Sequence, residues 1–418
     1  MTVPPYDCRF GRSGSSSRRE FIGGSVGGFF AFALAHSSGR LFAGEGSRAR
    51  KMLVIWADGG PSQFETFDPK PDTETGGPLG AIETAARGLR ISETLPGMAR
   101  HMDKLSVVRN LRSPEGEHQR ARYFLHTGFP LVDSFPRPAL GAVAAQQGGD
   151  EVLPGYVSLG APGFGPAYLG SQWGPFAIED PGETRRLLRV LESRRDRISL
   201  ARSFSERFRQ AHPDADPALA RLAVLERIEK LVDTPFERAL DLERDREERA
   251  RYGRGTLADR LLVARRLLEL GTPFVEVHQG GWDTHQDNAA NVGRLCRELD
   301  GPWATLMDDL AAGGLLEETV VVWLGEFGRT PAINGANGRD HFPQVTPVVI
   351  GGGGIAGGRV IGATNADGTA IEGESFEVAD LFATLLGRLG VAPRDEFPTD
   401  FGSMTEATDG GRVIADLL

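Results

Sequence analysis

The stretch from Thr319 to Gly354 constrains the fold of this chain more than any other part of the sequence. Two apolar, β-branched runs, Thr319–Leu324 and Val345–Ile350, flank a loop rich in glycine, asparagine and proline. Each run is too short for a helix and too uniformly apolar for a strand with one wet face, so both are predicted to be buried parallel strands. The loop would then leave the carboxyl end of a strand, where open α/β sheets place their sites.

Ionisable side chains gather in that loop. Glu326 follows the first run directly, and Asp340 and His341 lie shortly before the second run. A carboxylate and an imidazole at the edge of a sheet are suitable metal ligands. The alternative is that Glu326 caps a turn and that Asp340 and His341 are solvated loop residues.

Two other predicted strands end in the same way. Met52–Ala57 is followed by Asp58 in a turn of small residues, and Pro273–His278 leads through two glycines to Asp283 and His285. A carboxylate together with an imidazole suits Zn, Mn or Fe. Each end also has an ordinary alternative, in which Asp58 belongs to a strand-ending turn, Asp283 caps a helix and His285 is a buried, hydrogen-bonded residue.

Repetition of this arrangement favours a metal site over three separate turns. The carboxyl ends of neighbouring parallel strands meet at one edge of a sheet, and right-handed crossovers through the intervening helices allow these strands to be neighbours. The sequence therefore predicts a divalent metal site. Its candidate ligands are Asp58, Asp283, His285, Glu326 and His341.

A further pair of polar residues precedes an apolar helical face. His118 is predicted to begin a helix, which puts Arg122 one turn later on the same side, so that an imidazole and a guanidinium can face one anion. The ordinary alternative is that His118 is a satisfied surface residue near a helix start.

The N-terminus carries a targeting signal. Ser17–Ile22 (SRREFI) is a twin-arginine pattern, Phe21–Ala35 is apolar and rich in glycine, and Ala33–Ala35 offers a cleavage site. Residues 1–43 are therefore predicted to be a signal peptide with a short linker, recognised by the twin-arginine export machinery. The alternative is a retained anchor. No later segment has an uninterrupted apolar run of about 18 residues, so no membrane span is expected after cleavage, and the mature protein is predicted to be periplasmic or extracellular.

Charge and cysteine content exclude some classes of function. The formal net charge is -10 and no basic stripe offsets it, which argues against nucleic acid as a partner. The two cysteines, Cys8 and Cys296, cannot build a disulfide framework, and Cys8 lies in the segment predicted to be removed.

The composition changes between residues 183 and 270. This span is rich in arginine, acidic residues, leucine and alanine, with helical spacing of apolar residues in Leu219–Leu231 and Leu257–Leu270. It is predicted to be a helical insertion or crossover layer on the sheet, within a single domain covering residues 48–418.

The motifs together resemble a known family. Their order is GGPSQFETFDPKPD after Asp58, then HQRARYFLHTG, VHQGGWDTH, GEFGRTP and GRDHFPQVTPVVIGG. This order is similar to that of the alkaline phosphatase/sulfatase superfamily, and more closely to the exported bacterial family called domain of unknown function 1501. The resemblance implies an alkaline-phosphatase-like, mostly parallel sheet sandwiched between helical layers, with metals at its carboxyl edge.

The resemblance also implies roles for individual residues. Asp58 matches the aspartate that bridges the metal site of the superfamily, and Asp283, His285 and His341 look like the set that shares one metal. Phe327 stands where relatives have a metal-binding histidine, so the resemblance supports one metal (Zn, Mn, Fe or Ca) and leaves a second open. Sulfatases carry their nucleophile ten residues before a glycine that matches Gly128, and that position here is His118.

Two functions of different classes follow from this resemblance. The first is an exported, metal-dependent hydrolase of phosphate or sulfate esters, in which Arg122 holds the anion and His118, held neutral by positive surroundings, acts as nucleophile or general acid/base. The second is a non-catalytic secreted scaffold that binds sulfated or other anionic glycans. Fold resemblance alone does not choose between them.

Overall fold

A computed structural model of the protein describes residues 49–149, 152–211, 225, 228–229, 231–399 and 402–418. The predicted signal peptide, residues 1–43, lies outside the described residues, as does most of Leu219–Leu231. Residues from Ser47 to Leu418 form one compact unit. No helix in the described ranges combines the length and the apolar character that a membrane crossing requires.

A central sheet of eight strands organises the described chain. In chain order the strands are β1 (Lys51–Asp58), β2 (Leu105–Val108), β3 (Tyr156–Leu159), β4 (Phe176–Ile178), β5 (Phe274–Gly280), β6 (Thr319–Leu324), β7 (Val348–Gly351) and β8 (Val360–Ile361). They lie side by side in the order β8-β2-β7-β6-β1-β5-β3-β4. All neighbouring pairs are parallel except the two that include β7. The predicted α/β class and mostly parallel sheet are confirmed.

The direction of β7 corrects the prediction that Val345–Ile350 is a parallel strand. β7 is antiparallel to both β6 and β2. The loop from residue 325 to 347 contains no crossover helix, so the chain returns along the edge of β6 that it has just left. An apolar run indicates burial on both faces but not direction, and β7 is buried throughout. The whole loop consequently stays at the carboxyl edge of β6.

Helices cover both faces of the sheet. Those of the described residues are α1 (Pro96–Ala99), α2 (His118–Thr127), α3 (Leu140–Gly148), α4 (Pro181–Ser193), α5 (Arg195–Ala211), α6 (Phe236–Ala239), α7 (Arg246–Tyr252), α8 (Thr256–Leu270), α9 (Asn288–Ala312) and α10 (Val378–Arg388). The helix predicted over Leu257–Leu270 is α8. It packs on β5 and α9.

Two hydrophobic clusters hold these layers to the sheet. Leu53 and Ile55 of β1 belong to the cluster that includes α8 and α9, whereas Val54 and Trp56 belong to the cluster that includes α2, α3 and α10. Successive side chains of a strand point to opposite faces, so β1 contributes to both clusters and is apolar at every buried position.

Short two-stranded ladders fix the loops around the sheet. They are Ala81–Glu83 with Arg90–Ser92, Leu111–Arg112 with Phe376–Glu377, Gly328–Arg329 with His341–Phe342, Ala363–Thr364 with Ile371–Glu372, and Glu396–Pro398 with Met404–Glu406.

Candidate metal centre

Three strand ends meet at the carboxyl edge of the sheet. β1 lies between β5 and β6, with Asp58 paired to Gly280 in one neighbour and Trp56 paired to Leu324 in the other. The turns that follow these strands therefore lie beside each other. They carry Asp58, Asp283 with His285, and Glu326, as the sequence predicts.

The loop after β6 brings His341 to the same place. Arg329 pairs with His341 in the short antiparallel ladder that follows the strand. The site histidine is thus held by backbone hydrogen bonds, although it lies far from its neighbours in sequence.

Helix α2 supplies the remaining predicted residues. Its N-cap is Glu117, whose carboxylate accepts hydrogen bonds from the amides of Gln119 and Arg120. This cap starts the helix at His118, as predicted, and it places His118 and Arg122 on the side that faces the sheet edge.

Four side-chain atoms converge at this edge. Asp283 Oδ1 lies 3.1 Å from His285 Nε2, and 3.4 Å from both His341 Nε2 and His118 Nε2. The Nε2 atoms of His285 and His341 are 3.0 Å apart. His118, Asp283 and His341 offer ligand atoms that all lie within 4.8 Å of one another.

The outer nitrogens of two of these histidines determine which atoms carry protons. His285 Nδ1 lies 2.9 Å from Asp340 Oδ1, and His341 Nδ1 lies 2.8 Å from the carbonyl oxygen of Gly116. Both oxygens accept hydrogen bonds, so in the neutral rings each Nδ1 is the donor. The two Nε2 lone pairs then face each other and the Asp283 carboxylate, an arrangement that a cation between them stabilises.

The His118 ring completes the cluster. Its Nδ1 lies 3.4 Å from Glu326 Oε1, which is an ion-pair distance, and both ring nitrogens are buried without a hydrogen-bond partner in the described chain. A buried polar atom that lacks a partner destabilises the fold unless a ligand or ion supplies one. His118 Nε2 points at the same space as the other Nε2 atoms.

Four of the distances between these atoms match those in a metal site. For Zn²⁺ bonded at about 2.0–2.1 Å in a tetrahedron, neighbouring ligand atoms lie about 3.3 Å apart. The distances observed from Asp283 Oδ1 and between His285 and His341 are 3.0 to 3.4 Å. The residues present therefore fit a divalent metal.

The other two predicted ligands contact a guanidinium. Arg122 Nη2 lies 2.6 Å from Asp58 Oδ1 and 3.5 Å from Glu326 Oε1. Glu326 is fully buried and also accepts hydrogen bonds from the amide of Gly59 at 2.9 and 3.2 Å. The structure thus divides the five predicted ligands into two groups, the histidine–aspartate cluster and the carboxylate pair on Arg122.

Comparison with known proteins identifies the family. The family model described as protein of unknown function (DUF1501) matches residues 49–418. The chain belongs to the DUF1501 family. Among curated proteins there is no significant match.

Several solved structures align with this DUF1501 protein at low sequence identity. The PsFucS1 sulfatase from Pseudoalteromonas sp. aligns with a TM-score of 0.40 and 14% identity, over 86% of this chain and 71% of the sulfatase. Alkaline phosphatase from the Antarctic bacterium TAB5 aligns with a TM-score of 0.38 and 12% identity, over 82% and 99%. The lipoteichoic acid synthase LtaP from Listeria monocytogenes aligns with a TM-score of 0.38 and 9% identity, over 84% and 74%.

The charge state of His118 in this DUF1501 protein corrects one expectation. The sequence suggested that positive surroundings keep the ring neutral. Instead, the interaction with the Glu326 carboxylate raises the pKa of His118, and the charge of Asp283 adds to that effect. The sequence analysis did not pair these two residues, and the fold places Glu326 Oε1 3.4 Å from His118 Nδ1.

The pKa values of the neighbouring His341 and Glu326 are lowered, in contrast to that of His118. Burial lowers the pKa of His341, which favours the neutral ring that a metal requires. Burial is also the largest influence on Glu326 and opposes its ionisation. The His118 ring, the Gly59 amide and the charge of Arg122 nevertheless outweigh burial and hold the pKa of Glu326 below its usual value.

Sequence reasoning missed the roles of Arg329 and Asp340. Arg329 is fully buried and its Nη2 lies 2.6 Å from Asp283 Oδ1, so it orients the predicted ligand. Asp340 orients the His285 ring. The available signals were the arginine in the DUF1501 motif GEFGRTP and the aspartate that directly precedes His341.

Proposed function

We propose that this DUF1501 protein is a metal-dependent hydrolase of phosphate or sulfate esters, with its site at the carboxyl edge of the sheet. The observation that carries the proposal is the convergence of three imidazole Nε2 atoms on Asp283 Oδ1. On the other side of each ring, Nδ1 faces an oxygen atom. This combination of inner lone pairs and outer acceptors is typical of histidines that bind metals.

Asp283, His285 and His341 would hold the metal. Two imidazoles and one carboxylate favour Zn, Mn or Fe over Ca, which prefers a shell of oxygen ligands. When bound, the metal polarises the ester oxygen and lowers the pKa of a bound water.

His118 and Arg122 would act beside the metal. The Glu326 carboxylate faces His118 Nδ1 and orients the ring, so that Nε2 points into the cluster and can take up or release a proton there. The side chain of Arg122 is 38% exposed, and its guanidinium can hold the oxygens of an anionic ester.

The second candidate function is that of a metal-binding protein without catalytic activity. His118 Nε2 is 3.4 Å from Asp283 Oδ1, close enough to serve as a fourth ligand. Structural metal sites are closed by four protein ligands, whereas catalytic sites keep one position open. With His118 bound, the protein would be a secreted scaffold for sulfated or other anionic glycans.

Metal content and turnover of the same variants distinguish the two functions. We expect Asp283→Ala to remove most of the metal measured by elemental analysis, because it deletes the atom on which the cluster converges. The matched control is Asp367→Ala, which changes an exposed turn residue and is expected to keep the metal. Turnover is measured on a panel of phosphate and sulfate esters.

His118→Ala then decides between catalysis and scaffold. Loss of turnover with wild-type metal content supports the hydrolase. Loss of metal comparable to that of Asp283→Ala, in a protein without ester turnover, supports the scaffold. A wild-type protein that binds no divalent metal contradicts both functions.

A further inference from the structure

We propose that the guanidinium of Arg122 occupies the place of a second cation between Asp58 and Glu326, and that its removal exposes a latent second metal site. The inference rests on the proposed metal-dependent function, because it concerns how many metals the site holds. It predicts one metal per chain in the native protein.

The contacts of Arg122 are those of a bridging cation. A single nitrogen, Nη2, reaches Asp58 Oδ1 at 2.6 Å and Glu326 Oε1 at 3.5 Å. The two carboxylates come from turns after adjacent strands, β1 and β6, and the guanidinium enters between them from helix α2. One positive group thus holds two acidic groups that the sheet brings together.

Because the Glu326 carboxylate is buried, it needs a positively charged partner. Glu326 is fully buried, and a buried carboxylate is stable only when it is paired and hydrogen-bonded. The Gly59 amide and the Trp56 indole donate to Glu326 and Asp58 respectively, but both donors are neutral. Besides Arg122, two ionisable groups act on this pair. The His118 Nδ1 is 3.4 Å from Glu326 Oε1, and the charge of the buried Arg329 guanidinium also interacts with Glu326.

Removing the guanidinium would leave an acidic pocket. Two carboxylates with water completing the shell are the usual protein contribution to Mg²⁺ and Mn²⁺ sites. The Phe327 ring, which cannot bind a metal, packs against His118 with ring centroids 5.0 Å apart. The latent site is therefore expected to take a hard divalent cation.

The experiment counts metals in the whole protein loaded with Mn²⁺. We expect one equivalent in the wild type and two in Arg122→Gln, measured by elemental analysis after equilibrium dialysis and by the electron paramagnetic resonance of the bound Mn²⁺. Arg122→Lys is the matched control, because its ammonium keeps the positive charge, and it is expected to bind one. The double variant R122Q/D58N is expected to return to one.

The outcomes separate this inference from the proposed function. If the wild type and Arg122→Gln each bind one Mn²⁺ per chain, the inference is overturned and the metal-dependent function stands. The same conclusion follows if the wild type binds two Mn²⁺ per chain. If the wild type binds none, the proposed function fails. In that case, one Mn²⁺ per chain in Arg122→Gln supports the latent site, whereas the absence of bound Mn²⁺ in this variant overturns it.

The inference can also be tested if Arg122→Gln is unstable. If Arg122→Gln unfolds readily without metal, Mn²⁺ is expected to raise its melting temperature more than it raises that of R122Q/D58N. Equal shifts in the two proteins contradict a site between Asp58 and Glu326.

Discussion

At the scale of single residues, Arg329 joins the segments that form the candidate metal centre. Its side chain is fully buried, and Nε donates to the carbonyl oxygen of Gly60 at 2.8 Å, Nη1 to that of Arg339 at 3.1 Å and Nη2 to Asp283 Oδ1 at 2.6 Å. These partners belong to the turn after β1, the loop before β7 and the turn after β5. One planar group with several donors in fixed directions thus joins three segments, which a lysine ammonium cannot do in the same way.

Replacement of Arg329 is therefore expected to destabilise the fold. Arg329→Met keeps much of the volume but leaves buried carbonyl groups without donors, and we expect it to lower the free energy of unfolding by about 3 kcal/mol. The measurement is urea-induced unfolding at pH 7. Arg359→Met, which changes an exposed arginine, is the control and is expected to stay within about 0.5 kcal/mol of the wild type. Equal stabilities of the two variants would contradict this role.

At the scale of elements, a buried ion pair fixes helix α2 to strand β5. His126 Nε2 lies 2.7 Å from Glu276 Oε1, and Tyr156 donates to Glu276 Oε2 at 2.7 Å. His126 Nδ1 lies 2.6 Å from the carbonyl oxygen of Arg122, one turn back along the helix. Both ring nitrogens thus face oxygen atoms. The pair sets the position of the helix that presents His118 and Arg122.

This ion pair predicts a contribution to stability that depends on pH. Burial is the largest influence on Glu276 and opposes ionisation, but the charges and hydrogen bonds of His126 and His278 hold its pKa well below the ordinary value of 4.5. The unfolded chain therefore binds a proton more readily than the folded one. The stabilisation is fully present above pH 4.5 and is lost as the pH falls towards the pKa of the folded state.

Glu276→Gln tests this dependence. We expect a loss of about 3 kcal/mol in the free energy of unfolding at pH 7, and a smaller loss at pH 3.5, where the wild type has lost part of the same stabilisation. Urea unfolding at the two pH values is the measurement. Glu374→Gln, at an exposed ion pair, is the control. An effect of Glu276→Gln that is equal at both pH values would show that the carboxylate charge is not involved.

At the scale of the whole molecule, one sheet with a helical layer on each face forms the compact unit from Ser47 to Leu418. The predicted signal peptide precedes this unit. Twin-arginine export carries folded proteins, so the proposed metal would be bound before the chain crosses the membrane. The sequence predicts a location outside the cytoplasm, in the periplasm or the extracellular medium.

Export is tested by changing the two arginines of the signal. Substitution of both Arg18 and Arg19 by lysine is expected to leave the precursor in the cytoplasm, because the export machinery recognises the arginine pair. Cell fractionation followed by immunoblotting measures the distribution. Arg12→Lys lies outside the motif and should be exported like the wild type. Normal export of the double variant would exclude the twin-arginine pathway.

The sequence by itself determined several secondary-structure elements and the strand ends that carry the candidate site residues. Hydrophobic runs of strand length predicted β1, β5 and β6, because a strand buried on both faces must be apolar at nearly every position. The small residues after each run predicted tight turns that carry Asp58, Asp283 and Glu326. Local chemistry likewise predicted the start of α2 at His118. These features depend on neighbouring residues only, so they are visible in a single sequence.

The tertiary structure decided the direction of β7 and the pairing of the charged groups. Burial on both faces is the same for parallel and antiparallel strands, so the apolar run alone could not indicate how β7 is oriented. The sequence named Asp58, Glu326 and Arg122, but only the adjacency of β1, β6 and α2 puts the guanidinium between the two carboxylates. Electrostatic partners separated by hundreds of residues depend on distances that the fold alone sets.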